Sequence, residues 1–224
     1  MTNKRVQKLL SNAGHCSRRE GEKLIKEGRV TVNGDLVTIG DKASREDTIC
    51  VDNEQISFDN TRYIAFHNPS QVLSILDPVT HRECILDFID IDERVYPCGR
   101  LDYDAEGLLI LTNDGDFANR VMHPRYEKIK EYKIWTSNDL DIPSSPFTAR
   151  LEDGPVTVKD MVKDGDAYII RIGVGKNHVV KRIAQSLGGT VTRLLRTKIG
   201  GVTLDVKKGE WRNLAPSEVK PFFN

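Results

Sequence analysis

Residues 99–116 read Gly-Arg-Leu-Asp-Tyr-Asp-Ala-Glu-Gly-Leu-Leu-Ile-Leu-Thr-Asn-Asp-Gly-Asp, a short apolar run between two acidic segments. Leu108-Leu109-Ile110-Leu111-Thr112 shows no polar alternation, is too short for a helix and is bounded by turn residues. It therefore reads as a short buried strand. Asp102, Asp104 and Glu106 precede it; Asp114 and Asp116 follow it. Loops held by rigid core are where chemistry is commonly placed. The question is which carboxylate acts, and on what.

The residues alone leave several answers open. Asp102-x-Asp104-x-Glu106-Gly107 matches the opening of a calcium loop. The twelfth position is Asn113, however, where a bidentate Glu is needed, and the apolar run fills the half that should supply ligands. A pair such as Asp102 with Glu106 or Asp114 could serve as acid and nucleophile on a glycosidic bond. Asp114 and Asp116 also suit the turn and first helical residues before Phe117.

With 224 residues, 38% hydrophobic and 29% charged, the chain can fill one large core, or a small domain and a medium one. No apolar stretch approaches the roughly 20 residues of a membrane span, and the N-terminus lacks the apolar core of a signal peptide. Cys16, Cys50, Cys84 and Cys98 are scattered without a C-x-x-C pair, so free thiols are expected rather than zinc or a disulfide framework. The expectation is a cytoplasmic protein. His15, His67 and His81 stand alone with no ligand spacing, and Trp135 and Trp211 are expected in the core.

Net charge is zero but segregated. Residues 1–34 carry 8 Lys and Arg against 3 Asp and Glu, residues 35–170 carry 14 against 27, and residues 171–212 carry 10 against 2. Two basic ends around an acidic middle offer two surfaces for a polyanion, or ordinary solvated faces.

The N-terminal grammar favours the polyanion. Val6, Leu9 and Leu10 form a helix stripe that stops at Gly14. Ser17 with Glu20 is a capping box opening a second helix, which buries Leu24 and Ile25 and ends at Gly28. Val30–Val37 is a hairpin turned by Asn33-Gly34. Arg5, Lys8, Arg18, Arg19, Lys26 and Arg29 lie on or between these elements. Arg18 and Arg19 occupy the first turn of the second helix, where the macrodipole disfavours cations and a phosphate would offset the cost. This stretch resembles the small RNA-binding module named after the fourth protein of the small ribosomal subunit, over about residues 4–50. The resemblance implies contact with structured RNA through phosphate and shape.

Residues 52–61 are polar and acidic and read as a linker, dividing an RNA-binding domain with its linker (1–59) from a second domain (60–224). There, strands are expected at Tyr63–Phe66, Val72–Ile75, Leu108–Thr112, Glu131–Thr136 and Tyr168–Ile172. Helices are expected at Cys84–Ile89, Phe117–His123 and Val179–Leu187, with a surface loop over Ser137–Pro146. The fold class is α+β, with a mixed, mainly antiparallel sheet in the second domain.

The segment "GRLDYDAEGLLILTNDG", with "ANRVMHPRYEKIKEYKIW", "GKNHVVKRIAQSLGGTVTRLLRTKIGGVTLD" and "GEWRNL", is similar to pseudouridine synthases of the Rsu type. In that family the Asp after Gly-Arg-Leu is catalytic, here Asp102, while Asp104 and Glu106 fall at variable positions. The resemblance implies isomerisation of a specific uridine in ribosomal RNA. The context of residues 117–127 looks closer to large-subunit than to small-subunit members. The base is cleaved from C1′, turned and rejoined through C5, with no redox step and no transferred group, so neither metal nor cofactor is expected.

The family places the cation that keeps Asp102 ionised at Lys181 and the aromatic that stacks on the uracil at Tyr132. By alternation alone Tyr132 reads as a core aromatic, and only the resemblance reverses that reading. Arg100 would hold the loop or wedge the RNA. Lys176, Asn177, His178 and Arg182, with Arg193, Arg196 and Lys198, would line the RNA path. The sequence departs from the family at Val174, Val179 and Asn68, where Glu, Gln and Lys are usual. The implied partner is ribosomal RNA or a pre-ribosomal particle, with no membrane and a monomeric enzyme. The rival from another class is a non-catalytic RNA-binding or ribosome-assembly factor that keeps the fold.

Overall fold

The computed structural model describes residues 3–58, 60–76 and 82–224; His81 lies outside them. The chain divides into two compact units. One comprises the residues up to Arg62 together with Ile91–Tyr96 and Thr112–Gly115; the other holds the rest, from Tyr63 to Asn224.

In the first unit, helices α1 (Val6–Asn12) and α2 (Arg18–Lys26) precede strands β1 (Val30–Val32), β2 (Asp35–Leu36), β3 (Ile49–Val51) and β4 (Glu54–Gln55). Ser17 caps α2, its hydroxyl accepting from the Glu20 amide at 3.2 Å, which satisfies one of the helix's free donors. Asn33 and Gly34 sit at φ 55° and 93°, the paired left-handed conformation that a tight hairpin turn requires. Val6, Leu9, Leu10, Leu24, Ile25, Val30 and Ile49 form the core. The expected linker is more ordered at its start than its composition implied. Asp52 and Asn53 make a second hairpin turn and Glu54–Gln55 pairs back on β3. Later, Asn113 accepts from the Arg62 amide at 2.8 Å and donates to the Asn60 carbonyl at 2.9 Å.

The second unit is built on one ten-stranded sheet. Its main strands are β5 (Tyr63–Asn68), β6 (Glu106–Thr112), β7 (Lys130–Thr136), β8 (Phe147–Leu151), β9 (Gly154–Asp164), β10 (Ala167–Ile172), β11 (Val191–Ile199) and β12 (Trp211–Asn213), in the order β8-β9-β10-β7-β11-β6-β5-β12. Helices α3 (Gly115–Met122) and α4 (Val179–Ser186) accompany them. β6 runs parallel to β11 through Leu195↔Glu106 and Arg196↔Gly107. β7 is antiparallel to both β10 and β11. Leu108, Leu109, Ile110 and Leu111 are each fully buried, as the unbroken apolar run required. Gly107 is fixed by the same contact. It sits at φ 119°, and a Cβ there would overlap the Arg196 carbonyl oxygen and lie 2.6 Å from its nitrogen.

Three expectations are corrected. Val72–Ile75 is not a strand; Leu73 makes only an isolated bridge to Cys84. Cys84–Ile89 is reduced to a single 3-10 turn, Ile85–Asp87, because the Asp87 carboxylate accepts from the Cys84 amide at 2.7 Å and closes the turn locally. Trp135 and Trp211 are half-exposed rather than core. Trp135 is covered by the Arg193 guanidinium, 4.5 Å from its ring.

Candidate active site

The loop that carries Asp102 is fastened at both ends. Gly99 turns the chain at φ 89°. The Leu101 amide donates to Ser74 Oγ at 3.3 Å, the Gln71 amide to the Tyr103 carbonyl at 2.6 Å, and the Ala105 amide to the Asp102 carbonyl at 3.0 Å. β6 then starts at Glu106, whose buried carboxylate meets Lys208 Nζ at 2.5 Å and Arg193 Nη2 at 2.7 Å. Burial pushes the Glu106 pKa up, but the bonds from Lys208 and Arg193 outweigh it and leave it below the usual value. Glu106 anchors the strand beside the loop and is not part of a carboxylate pair with Asp102.

From α4, two groups approach Asp102. His178 stands at the helix N-cap with φ 48°, and its Nδ1 lies 3.3 Å from Asp102 Oδ2. Lys181 Nζ lies 4.0 Å from the same oxygen. Its short contacts are instead to Asp104, at 2.5 and 2.6 Å from the two carboxylate oxygens. The Lys181 hydrogen bond holds the Asp104 carboxyl below the usual range. Asp104 is therefore more than the turn residue its variable position implied: it shares the lysine with Asp102.

Tyr132 is 7% exposed and lies opposite Ile170 on β10 and Arg196 on β11. It is buried, as alternation along β7 implies, yet it also lines a cavity of about 830 Å³ together with Asp102, Arg100 and His178. A space of that size accepts a compact ligand such as one nucleotide. Lys176 and Asn177 line the same cavity.

The expected RNA-path residues divide. Lys176 Nζ donates to the Asp153 carbonyl at 2.8 Å, and Arg182 forks onto the Asp153 carboxylate at 2.7 and 3.1 Å, so both are braced on the turn between β8 and β9. Arg193 is committed to Glu106. Arg196 is only 3% exposed and lies in the cavity wall rather than on an outer surface. In the N-terminal unit Arg5, Arg18, Arg19 and Lys26 are exposed and Lys8 is half-buried. Arg29 is exposed but forked onto Asp52 at 2.8 and 2.5 Å.

Lys130 escaped the sequence reading. The signal was its spacing, two residues before Tyr132 and hence on the same strand face. It lines the cavity, and burial, reinforced by the neighbouring Arg196 charge, pushes its pKa down to about 8.

Residues 62–195 match the RNA pseudouridylate synthase family, and residues 4–49 match the S4 domain. The chain belongs to the RNA pseudouridylate synthase family. It is 37% identical to the ribosomal large subunit pseudouridine synthase B of Bacillus subtilis strain 168, over 96% of this chain and 94% of the relative. It is 33% identical to the dual-specificity RNA pseudouridine synthase RluF of Escherichia coli K12, over 98% of this chain and 78% of the relative. A crystal structure of a pseudouridylate synthase superposes with a TM-score of 0.68 at 28% identity, covering 97% of this chain and 99% of the other. Two departures of this pseudouridylate synthase from its family lie inside the protein. Asn68 is fully buried, its amide donating to the Pro69 and Val72 carbonyls at 3.0 and 3.3 Å. Val179 is 5% exposed and packs in the core. Asn68 thus ties the chain that follows it, and Val179 serves packing.

Proposed function

We propose that this pseudouridylate synthase converts a specific uridine of ribosomal RNA to pseudouridine, with Asp102 as the catalytic carboxylate and a large-subunit RNA as substrate. The observation that carries the assignment of Asp102 is its position on a loop fastened to a buried strand, facing a nucleotide-sized cavity with His178 and Lys181 beside it. The relatives' names support ribosomal RNA, and the large-subunit name of the Bacillus subtilis relative supports the choice of subunit.

The target nucleotide must leave its stack to enter the cavity, at a cost of roughly a few kcal/mol, which favours loops and weakened helices. Inside, the N1–C1′ bond breaks, the base turns, C5 joins C1′, the C5 proton leaves and N1 gains one. Asp102 acts either as nucleophile, on C1′ or on C6 of the base, or as the base that removes the C2′ proton. Lys181 and His178 set the field around its carboxylate, and Asp104 shares Lys181 with it. Tyr132 offers its ring to the flipped uracil, and Arg100 steadies the RNA at the rim. Arg5, Lys8, Arg18, Arg19 and Lys26 provide a separate phosphate-binding face; Lys176, Asn177 and His178 line the cavity, and Arg182, braced on Asp153, adds a further RNA contact. No cofactor enters these steps. The enzyme is proposed to act as a monomer, and ribosomal RNA as substrate supports a cytoplasmic location.

The test is tritium release from ribosomal RNA labelled at uridine C5. Wild-type protein should release tritium and Asp102→Asn should not. Release that survives the substitution would remove Asp102 from the chemistry, and no release by wild type from any ribosomal RNA or precursor particle would favour a non-catalytic binding factor.

A further inference from the structure

Beside Tyr132 the cavity holds two cations that have no carboxylate partner among the described residues. Arg196 is anchored by one bond, Nε to the Leu108 carbonyl at 2.7 Å, and its Nη2 is buried with no hydrogen-bond partner. Among the described residues Lys130 makes only a 3.3 Å bond to the Lys128 carbonyl and is flanked in register by Ile172 and Ile199. Its own neighbour Glu131 is occupied elsewhere, by Arg171 at 2.7 Å and Thr197 at 2.8 Å. Among the described residues lining the cavity, Asp102 is the only carboxylate, against Arg100, Lys130, Lys176 and Arg196. Leaving two buried like charges unpaired is costly. A site that keeps them is suited to an anion that arrives or forms there.

We propose that Lys130 and Arg196 stabilise the uracil anion released when the glycosidic bond breaks. This rests on the assignment of uridine isomerisation to this cavity. When N1–C1′ cleaves, the bonding electron pair leaves with the base and spreads over N1, O2 and O4. When C5 bonds to C1′, a pair from the ring makes the new bond, the C5 proton departs, and N1 is protonated. Between those events the base is an anion with two carbonyl oxygens in need of positive charge. Arg196 lies directly across from Tyr132, and Lys130 is the next residue on the same face of β7. A ring stacked on Tyr132 thus brings its oxygens to this pair, while a phosphate, tied to the RNA backbone, stays nearer the exposed Arg100. Arg196 supplies a fixed charge and Lys130 a flexible donor.

The experiment is a single-turnover rate measurement with full-length protein on ribosomal RNA labelled at uridine C5, taken from a strain lacking this protein. Filter binding of the same RNA runs in parallel. Lys130→Met should slow release by about 100-fold, the loss seen when one preorganised donor to a developing anion is removed, with RNA affinity changed less than twofold. Lys130→Arg should restore most of the rate. In wild type kcat/KM should fall above pH 8, as Lys130 loses its proton; burial and the Arg196 charge from β11 set that limb, and Asp102, Arg100, Lys176 and His178 are the other charged or titratable groups on the cavity wall. In Lys130→Arg the limb should move up. If Asp102→Asn abolishes release while Lys130→Met stays within threefold of wild type, this inference fails and the uridine assignment stands. If wild type releases nothing, both fail. If Lys130→Met loses rate and RNA affinity in proportion, the lysine is an RNA contact and the inference is overturned.

Discussion

The loop around Asp102 and the strand pair β7–β11 both bring cations to the cavity, and they treat them in opposite ways. On the loop side, Lys181 is shared by two carboxylates, closely by Asp104 and at 4.0 Å by Asp102. On the strand side, Lys130 and Arg196 have backbone carbonyls for company and no carboxylate among the described residues. A compensated cation can hold a nucleophile or base in place before anything binds. An uncompensated one costs stability in the free protein and is useful only when negative charge develops beside it. The difference separates a side that prepares Asp102 from a side that receives the base.

The largest expected effect falls on the loop side. Asp102→Asn should lower the rate of tritium release by at least about 10³-fold, as removal of a group that makes or breaks bonds does, with thermal unfolding unchanged. Next come the partners of Lys181. Lys181→Met should slow the reaction by about 100-fold and Lys181→Arg should recover it, because a guanidinium also reaches both carboxylates. Asp104→Asn should stay within threefold, because it frees the lysine for Asp102; an equal loss in both variants would mean that Asp104 itself acts.

The strand side is sharpened by stability. In the folded protein burial holds the Lys130 pKa down at about 8, well below the usual lysine value of 10.5. Between those two pH values the unfolded chain binds more protons, so wild-type stability should rise with pH across that window. Lys130→Met should be more stable at pH 7 by about 2 kcal/mol, and its urea midpoint should not change from pH 8 to pH 10. A destabilised Lys130→Met would show that the lysine is a structural contact. The smallest effect belongs to the N-terminal unit. Arg18→Gln with Arg19→Gln should reduce the slope of log affinity against log salt by about 1 to 2 and leave the rate of bound RNA unchanged.

Local patterns carried much of this into view from the chain alone. The Asn33-Gly34 turn, the Ser17 cap and the buried run Leu108–Leu111 are set by nearest-neighbour chemistry, and they appear where the residues placed them. β9 was missed although Val156 and Val158 alternate with exposed Thr157 and Lys159, because Pro155 and the surrounding charges obscured the period of two. The short helix at Cys84 was overread because one Asp87 bond closed the turn. At the site, Asp102 and Tyr132 could be named from the family resemblance. What could not be named were partners chosen by tertiary packing: Asp104 taking Lys181 from α4, 77 residues away, or Arg196 buried by the close approach that Gly107 permits.

The most direct test of the account is made in cells. Ribosomal RNA from a strain lacking this gene, carrying either wild-type protein or Asp102→Asn on a plasmid, is mapped for pseudouridine by carbodiimide labelling and primer extension. One position in large-subunit RNA should lose its stop in the deletion strain, regain it with wild type and stay unmodified with Asp102→Asn. Restoration of that stop by Asp102→Asn would contradict the account.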